Sequence, residues 1–185
     1  MNCLENNASS AGVTLGGLYN TAEIKILICY ILSAIKEPVP AAMLSNELHF
    51  AGLANGFEVS DAIVSLSESG HIKSTDSSDT AYVITEKGKL IAEELKTSIS
   101  YTVKDRAFAV TVKMLSHIKN IEQTEFEVVR ENDVPYIVCT VKDSSLPLMS
   151  IKILLSDEGQ ATAIKERFLE NPTEIYLNII EKLTK

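Results

Sequence analysis

The stretch FEVSDAIVSLSESGHIKSTDSSDTAYVITEKG, residues 57–88, decides the fold of this chain. Its first third carries apolar residues at helical spacing, at Val59, Ala62, Ile63 and Leu66. Gly70 then supplies the left-handed conformation that ends many helices. The polar tip DSSD, residues 76–79, lies between two apolar runs and predicts a short hairpin, after which Thr85 caps another helix. The stretch therefore predicts a helix, a hairpin and a second helix.

That order occurs in many α+β domains, and the upstream residues favour one of them. Apolar residues recur through Thr21–Lys36 and indicate a helix at the centre of the domain. A second helix fits between Pro40 and Phe50. Three helices before a hairpin is the order of a winged helix-turn-helix, whose third helix normally enters the major groove of DNA while the hairpin, or wing, lies against the backbone.

The second half of the chain predicts a different α+β arrangement. Tyr101–Asn120 keeps a spacing of three to four between apolar residues, which favours a long helix over the strand that AFAVTV suggests in isolation. Strand-like runs follow, separated by the turn candidates ENDV and DSSL, and predict an antiparallel meander. The runs are Glu125–Arg130, Pro135–Lys142 and Leu146–Leu155. Helices are then expected from about Asp157 to Glu170 and from Pro172 onward, the second capped by Asn171.

The predicted fold class is therefore α+β: an N-terminal winged helix-turn-helix, a long helix, a three-stranded antiparallel meander and two C-terminal helices. Residues 1–18 are rich in Asn, Ser, Ala and Gly and are expected to form a flexible tail. The winged-helix domain is expected over residues 19–97, and a C-terminal α+β domain for dimerisation or sensing over residues 98–185. No effector ligand is indicated by any motif.

The last helix, PTEIYLNIIEKLTK, is apolar on more than one face. A helix of that kind must be buried against something. One interpretation buries it between the meander and the rest of its own chain. The other makes it a homodimer interface, which would suit a winged helix that reads two half-sites. The residues predicted for that interface are Tyr176, Ile179, Ile180 and Leu183.

At this point the chain resembles a known family, over about residues 17–183. The resemblance is carried by GGLYNTAEIKILICYIL, LANGFEVSDAIVSLSESGHI, YVITEKGK, SYTVKDRAF and ATAIKERFLENPTEIYLNIIEKL. These segments look like a bacterial family of winged-helix proteins that is catalogued as a domain of unknown function and described as transcriptional regulators. The resemblance implies a winged-helix fold. It implies no specific activity, ligand or target, because none of these motifs is chemically specific.

The excess of acidic residues argues against simple DNA reading by the predicted third helix. Between Thr21 and Leu95 five lysines stand against eleven acidic residues, whereas the rest of the chain is nearly neutral. The predicted reading helix holds Glu58, Asp61 and Glu68 and no basic residue. It also lacks the Arg, Asn and Gln side chains that make bidentate contacts with bases. Carboxylates near a groove repel phosphates, so any DNA binding should depend on residues beside this helix.

Two functions remain as hypotheses. In the first, the protein is a dimeric DNA-binding transcriptional regulator. Its predicted DNA contacts are Ser60, Ser65, His71, Lys73, Lys87 and Lys89, the lysines forming a small positive patch at the base of the wing. The alternative for these lysines is an ordinary solvated surface. In the second hypothesis, the domain is a protein–protein interaction module that has lost DNA reading and uses its acidic third helix to bind a basic partner.

Enzymatic chemistry finds no support in the sequence. His49, His71 and His117 show no metal-ligand spacing, and no phosphate-binding loop or nucleophile motif occurs. Cys29 and Cys139 fall within predicted core elements, as expected of small buried hydrophobes. We therefore predict no enzyme activity, metal or cofactor. Without a signal peptide or a membrane-length apolar run, the chain is expected to be cytoplasmic and to make no membrane contact.

Overall fold

A computed structural model describes residues 12–14, 16–75, 80–157 and 159–185. Over these residues the protein is a mixed α+β structure with seven α-helices and two three-stranded antiparallel sheets, which confirms the predicted class. The chain divides into two compact units, Met1–Leu115 (unit 1) and Ser116–Lys185 (unit 2). The sequence places the boundary after residue 97 instead. The observed division falls inside the long helix Tyr101–Glu122, whose first two thirds belong to unit 1.

Unit 1 is built around its first helix, α1, Thr21–Ala34. Asn20 caps it, since its side-chain oxygen accepts a hydrogen bond from the Ala22 amide at 2.8 Å. Nearly all of its apolar side chains are fully buried, because α1 packs against two further helices of the unit. These buried side chains are Ile24, Leu27, Ile28, Ile31 and Leu32.

Three more helices lie wholly in unit 1: α2, Ala41–Phe50; α3, Gly56–Glu68; and α4, Glu86–Leu95. A long helix, α5, Tyr101–Glu122, begins in unit 1 and ends in unit 2. A short 3₁₀ turn, Lys96–Ser98, precedes α5. The segment AFAVTV lies inside α5, so the helical prediction is confirmed and the strand alternative is wrong. Pro40 stands just before α2 in a short strand, not in the helix itself.

The small sheet of unit 1 contains a strand that the sequence pattern did not predict. Its strands are β1, Val39–Pro40; β2, Ile72–Ser74; and β3, Ala81–Ile84. The hairpin strands β2 and β3 pair antiparallel, and β1 pairs with the other edge of β3 through Val39 opposite Tyr82. Two residues are too few to show alternation, which explains why β1 escaped prediction. The predicted polar tip at residues 76–79 lies outside the described residues.

Most of the predicted flexible tail, residues 1–18, also lies outside the described residues. Its last part is held against the loop between α2 and α3. The Thr14 amide donates to the Gly52 carbonyl at 3.1 Å, and the Leu18 amide donates to the Leu53 carbonyl at 2.8 Å. Leu18 is buried. This end of the segment is therefore part of the packed structure of unit 1.

Unit 2 contains the predicted meander, and the strands follow the order β4–β5–β6. They are β4, Thr124–Glu131; β5, Val134–Asp143; and β6, Leu146–Leu154. Asn132 and Asp133 both have positive φ, 51° and 65°, as a two-residue hairpin turn requires. One face of the sheet packs on α6, Gly159–Glu170, and α7, Pro172–Thr184. Its buried core is Ile137, Cys139, Val141, Leu155 and Phe168.

Candidate nucleic-acid interface

The outward face of α3 carries few side chains that could form hydrogen bonds with a base. Its exposed side chains repeat every three to four residues along one side of the helix and include Phe57, 84% exposed, and Val64, 55% exposed. Asp61 and Glu68 lie on the same side and are also exposed. The inward side holds Val59, Ala62, Ile63 and Leu66, all buried. The exposed stripe is therefore apolar and acidic.

Basic groups gather instead at the C-terminal end of α3. The Lys25 ammonium, from α1, donates to the Ser65 hydroxyl at 2.7 Å. The Lys87 ammonium, from α4, donates to the carbonyl of Ser69, the residue that ends α3, also at 2.7 Å. Helix C-termini attract cations, so α3 itself helps to hold this lysine. We call Lys25, His71 and Lys87 the cationic cluster.

His71 belongs to this cluster by both geometry and electrostatics. Its Nδ1 lies 2.7 Å from the Ser69 hydroxyl. Burial lowers the pKa of His71 below its usual value of 6.5, and the positive charges of Lys87 and then Lys25 lower it further. An anion placed beside these groups would offset that repulsion. A phosphate is such an anion, and its binding would favour protonated His71.

The local chain path explains why His71 and Lys87 meet. Gly70, with φ +72°, ends α3 and turns the chain into β2. The Thr85 hydroxyl donates to the carbonyls of Gly70 and His71 at 2.8 and 2.9 Å, and its oxygen accepts from the Gly88 amide at 3.2 Å. Thr85 therefore caps α4, as predicted, and also ties the start of α4 to the turn after α3.

The six predicted DNA-contact residues do not form one cluster. Ser65, His71 and Lys87 converge, together with Lys25, which the predicted set left out. Lys73 lies exposed on β2, and the Lys89 ammonium is 2.7 Å from the Glu86 carboxylate in an exposed ion pair. The Lys25–Ser65 contact spans forty residues, so no local pattern in the sequence signals it.

Ser60 lies apart from the cationic cluster, near the start of α3. Its hydroxyl donates to the Gly56 carbonyl at 3.0 Å and lies 3.4 Å from the Ser45 hydroxyl of α2. A groove of about 270 Å³ between α2 and α3 has Ser45, His49 and Ser60 in its walls. Nine residues of helix, about 13 Å, separate Ser60 from Ser69. The two ends of α3 therefore present different surfaces, a groove against α2 and a basic cluster.

The predicted dimer residues all lie on α7. Within unit 2 the outer side of this helix is not buried, because Ile180 and Leu183 are exposed and Tyr176 and Ile179 are half-buried. Its buried residue is Pro172. Ile175 packs at the edge of the unit 2 core. Unit 2 therefore leaves the outer side of α7 as an uncovered apolar surface.

The described residues contain neither a metal site nor a membrane-spanning helix. No group of three or more His, Cys, Asp or Glu side chains is placed to hold a metal ion there. Within the same part of the chain, no helix combines the length and the apolar character needed to cross a membrane. Cys29 and Cys139 are buried free thiols, and burial raises the pKa of Cys29 to about 11. A thiol with so high a pKa is a poor nucleophile near neutral pH.

Comparison with known proteins places the chain in a family. The family model described as Domain of unknown function (DUF4364) matches residues 24–183, and the chain belongs to that family. Neither the curated proteins nor the solved structures contain a match to the chain.

Proposed function

We propose that unit 1 is a winged-helix DNA-binding domain and that the protein is a transcriptional regulator. The topology of unit 1 supports this most strongly. Helices α1, α2 and α3 precede a β2–β3 hairpin, and β1, between α1 and α2, pairs with β3. This order supports a winged helix, for which we propose α3 as the reading helix and the hairpin as the wing. Nucleic-acid binding is inferred for this fold by analogy alone, so the charges of the site must carry the argument.

The charge distribution determines how such a domain would bind. The exposed stripe of α3 repels phosphates through Asp61 and Glu68 and offers no bidentate donor to a base. The cationic cluster at the end of α3 is suited to phosphate contacts, and Lys73 adds a positive charge on the wing. Backbone contacts of this kind position a protein on DNA without reading its sequence. We therefore expect binding that depends strongly on salt and only weakly on base sequence.

Charge removal within the cluster tests this proposal. Lys25→Gln/Lys87→Gln should weaken binding of the full-length chain to random-sequence DNA and reduce the salt slope by about 2, one per phosphate contact. A matched control is Lys36→Gln/Lys119→Gln, which removes the same charge at exposed positions outside the cluster. Both variants should keep a folded circular dichroism spectrum. Equal weakening by the two variants would reject the cluster as the DNA contact.

A second candidate function follows from the stripe itself. Phe57 is 84% exposed beside Asp61, and Val64 and Glu68 continue the same line. Exposed apolar groups bordered by acidic ones fit a basic, amphipathic protein segment better than they fit DNA. In this interpretation unit 1 is a protein-interaction module that keeps the winged-helix scaffold.

One triple variant separates the two candidates. Glu58→Lys/Asp61→Lys/Glu68→Lys should tighten DNA binding if the domain binds DNA. It should abolish capture of an immobilised lysine-rich helical peptide if the stripe binds a basic partner. The matched control reverses three exposed acidic residues elsewhere, Glu122, Glu127 and Glu166. Peptide capture that survives the triple reversal would exclude the second candidate.

A further inference from the structure

Helix α7 presents an apolar stripe that unit 2 leaves uncovered. Leu177, Ile180 and Leu183 are 57, 42 and 78% exposed, and Tyr176 is half-buried beside them. At 100° per residue these four side chains fall within a sector of about 120°. They therefore form one continuous surface along about two turns of the helix, which we call the α7 stripe.

The side of α7 that carries Ile175 already has its partner. Ile175 lies about 140° around the axis from the centre of the stripe and packs against the core formed by the sheet and α6. Turning the helix to bury the stripe would expose Ile175, so both sides cannot be covered within unit 2. Contiguous exposed apolar surface on a helix indicates an interaction site.

The charges beside the stripe indicate which kind of partner helix can pack on it. Glu174 in the first turn and Lys185 at the end of the helix lie about 20° apart around the axis, on the same flank of the stripe. Glu174 accepts a hydrogen bond from the Asn171 side chain at 2.6 Å, and Lys185 pairs with Glu181. One flank therefore has an acidic start and a basic end.

We propose that the α7 stripe binds a second copy of this chain, with the two α7 helices antiparallel about a two-fold axis near Ile179 and Ile180. In an antiparallel pair the same flank of each helix faces its counterpart on the other copy. The start of one helix then lies beside the end of the other. Glu174 then faces Lys185 of the second copy, and this contact occurs twice. Tyr176 faces Leu183 of the second copy in the same register. A parallel pair would place this charged flank against the side that carries Ile175 and would lose both ion pairs.

The first test is the oligomeric state of the full-length chain by sedimentation velocity and light scattering. Wild-type protein should be a dimer at micromolar concentration, and Ile180→Asp should raise the dimer dissociation constant at least about a hundredfold, since it places two charges at the centre of the contact. Leu146→Asp is the matched control, because Leu146 is similarly exposed at the β5–β6 turn. A monomeric wild type, or a dimer insensitive to Ile180→Asp, would overturn the proposal.

The second test fixes the register and does not depend on how either variant affects its own helix. Glu174→Lys and Lys185→Glu should each weaken the homodimer by about tenfold, because each places like charges together at both ends. Mixing the two variants restores opposite charges at both ends. The mixture should therefore form heterodimers more tightly than either variant forms homodimers, as measured by fluorescence exchange between labelled chains. Statistical mixing without preference would exclude the antiparallel contact.

Discussion

At Gly88 the start of α4 passes directly over the turn that ends α3. A Cβ atom at this position would lie 2.2 Å from the His71 carbonyl oxygen and 2.8 Å from the Cγ1 methylene of Ile84. Because the first collision is with backbone, it cannot be relieved by a side-chain rotation. The turn that holds His71 beside Lys87 therefore depends on glycine at this residue.

Gly88→Ala should consequently lower the free energy of unfolding by about 2–4 kcal/mol, measured by urea denaturation. Gly159→Ala is the control, since a Cβ there meets only the flexible Asp157 carboxylate, at 3.1 Å. That change should stay within about 0.5 kcal/mol of the wild type. If Gly88→Ala lost as little stability as Gly159→Ala, the close approach at Gly88 would be contradicted.

The His71 side chain gives the cationic cluster a pH dependence with a defined sign. Its pKa is lowered in the folded protein by burial and by the two lysines, so the unfolded chain binds the proton more readily. Stability should therefore fall as the pH drops through the usual histidine value of about 6.5. His71→Gln should lose less stability than the wild type between pH 7.5 and 5.5 in urea denaturation. An equal loss in the two proteins would show that His71 does not cause the loss of stability at low pH.

Among the elements, the helices were the most predictable and the short strand the least. Helix α3 was predicted from apolar spacing and a glycine stop, and these are the residues that it buries. Strand β1 contains two residues and exists because β3 offers it an unpaired edge, which is a tertiary cause. Helix α7 shows the other limit, because the sequence revealed apolar residues on several faces and not which of them the sheet covers.

The same limit applies to the candidate site. Ser65 and Lys87 were predicted as contacts, but Lys25 joins them through a hydrogen bond between α1 and α3 that spacing along the chain does not encode. Conversely, the exposed acidic side of α3 was evident from its sequence. The sequence therefore indicated which surface is unsuited to phosphate, while the structure located the basic groups nearest to it.

The charge on the exposed stripe of α3 can be tested with a single substitution. Asp61→Lys reverses one charge at the middle of the exposed face without touching the buried side. If α3 approaches DNA, this variant should bind random DNA several-fold more tightly at low salt, with a salt slope steeper by about 1. Glu166→Lys, on α6, makes the same change of net charge in unit 2. Equal gains for both variants would mean that α3 does not approach the DNA.

For the whole molecule, the dimer proposal predicts that stability depends on protein concentration, and the DNA proposal does not. Pairing through α7 links stability to concentration, because a dimer that dissociates on unfolding is stabilised by mass action. Raising the wild-type concentration a hundredfold should raise its melting temperature, and Ile180→Asp should abolish the increase. A concentration-independent wild type would contradict the pairing and leave the DNA proposal unaffected.

The proposal that unit 1 is a winged helix binding DNA through a few phosphates is tested most directly by the salt dependence of binding. Fluorescence anisotropy would follow the full-length wild type titrated onto random-sequence DNA between about 50 and 200 mM salt. With Lys25, Lys73 and Lys87 as the contacts, the slope of log K against log salt should lie between about −2 and −4. No binding at the lowest salt, or binding with a slope near zero, would contradict the proposal.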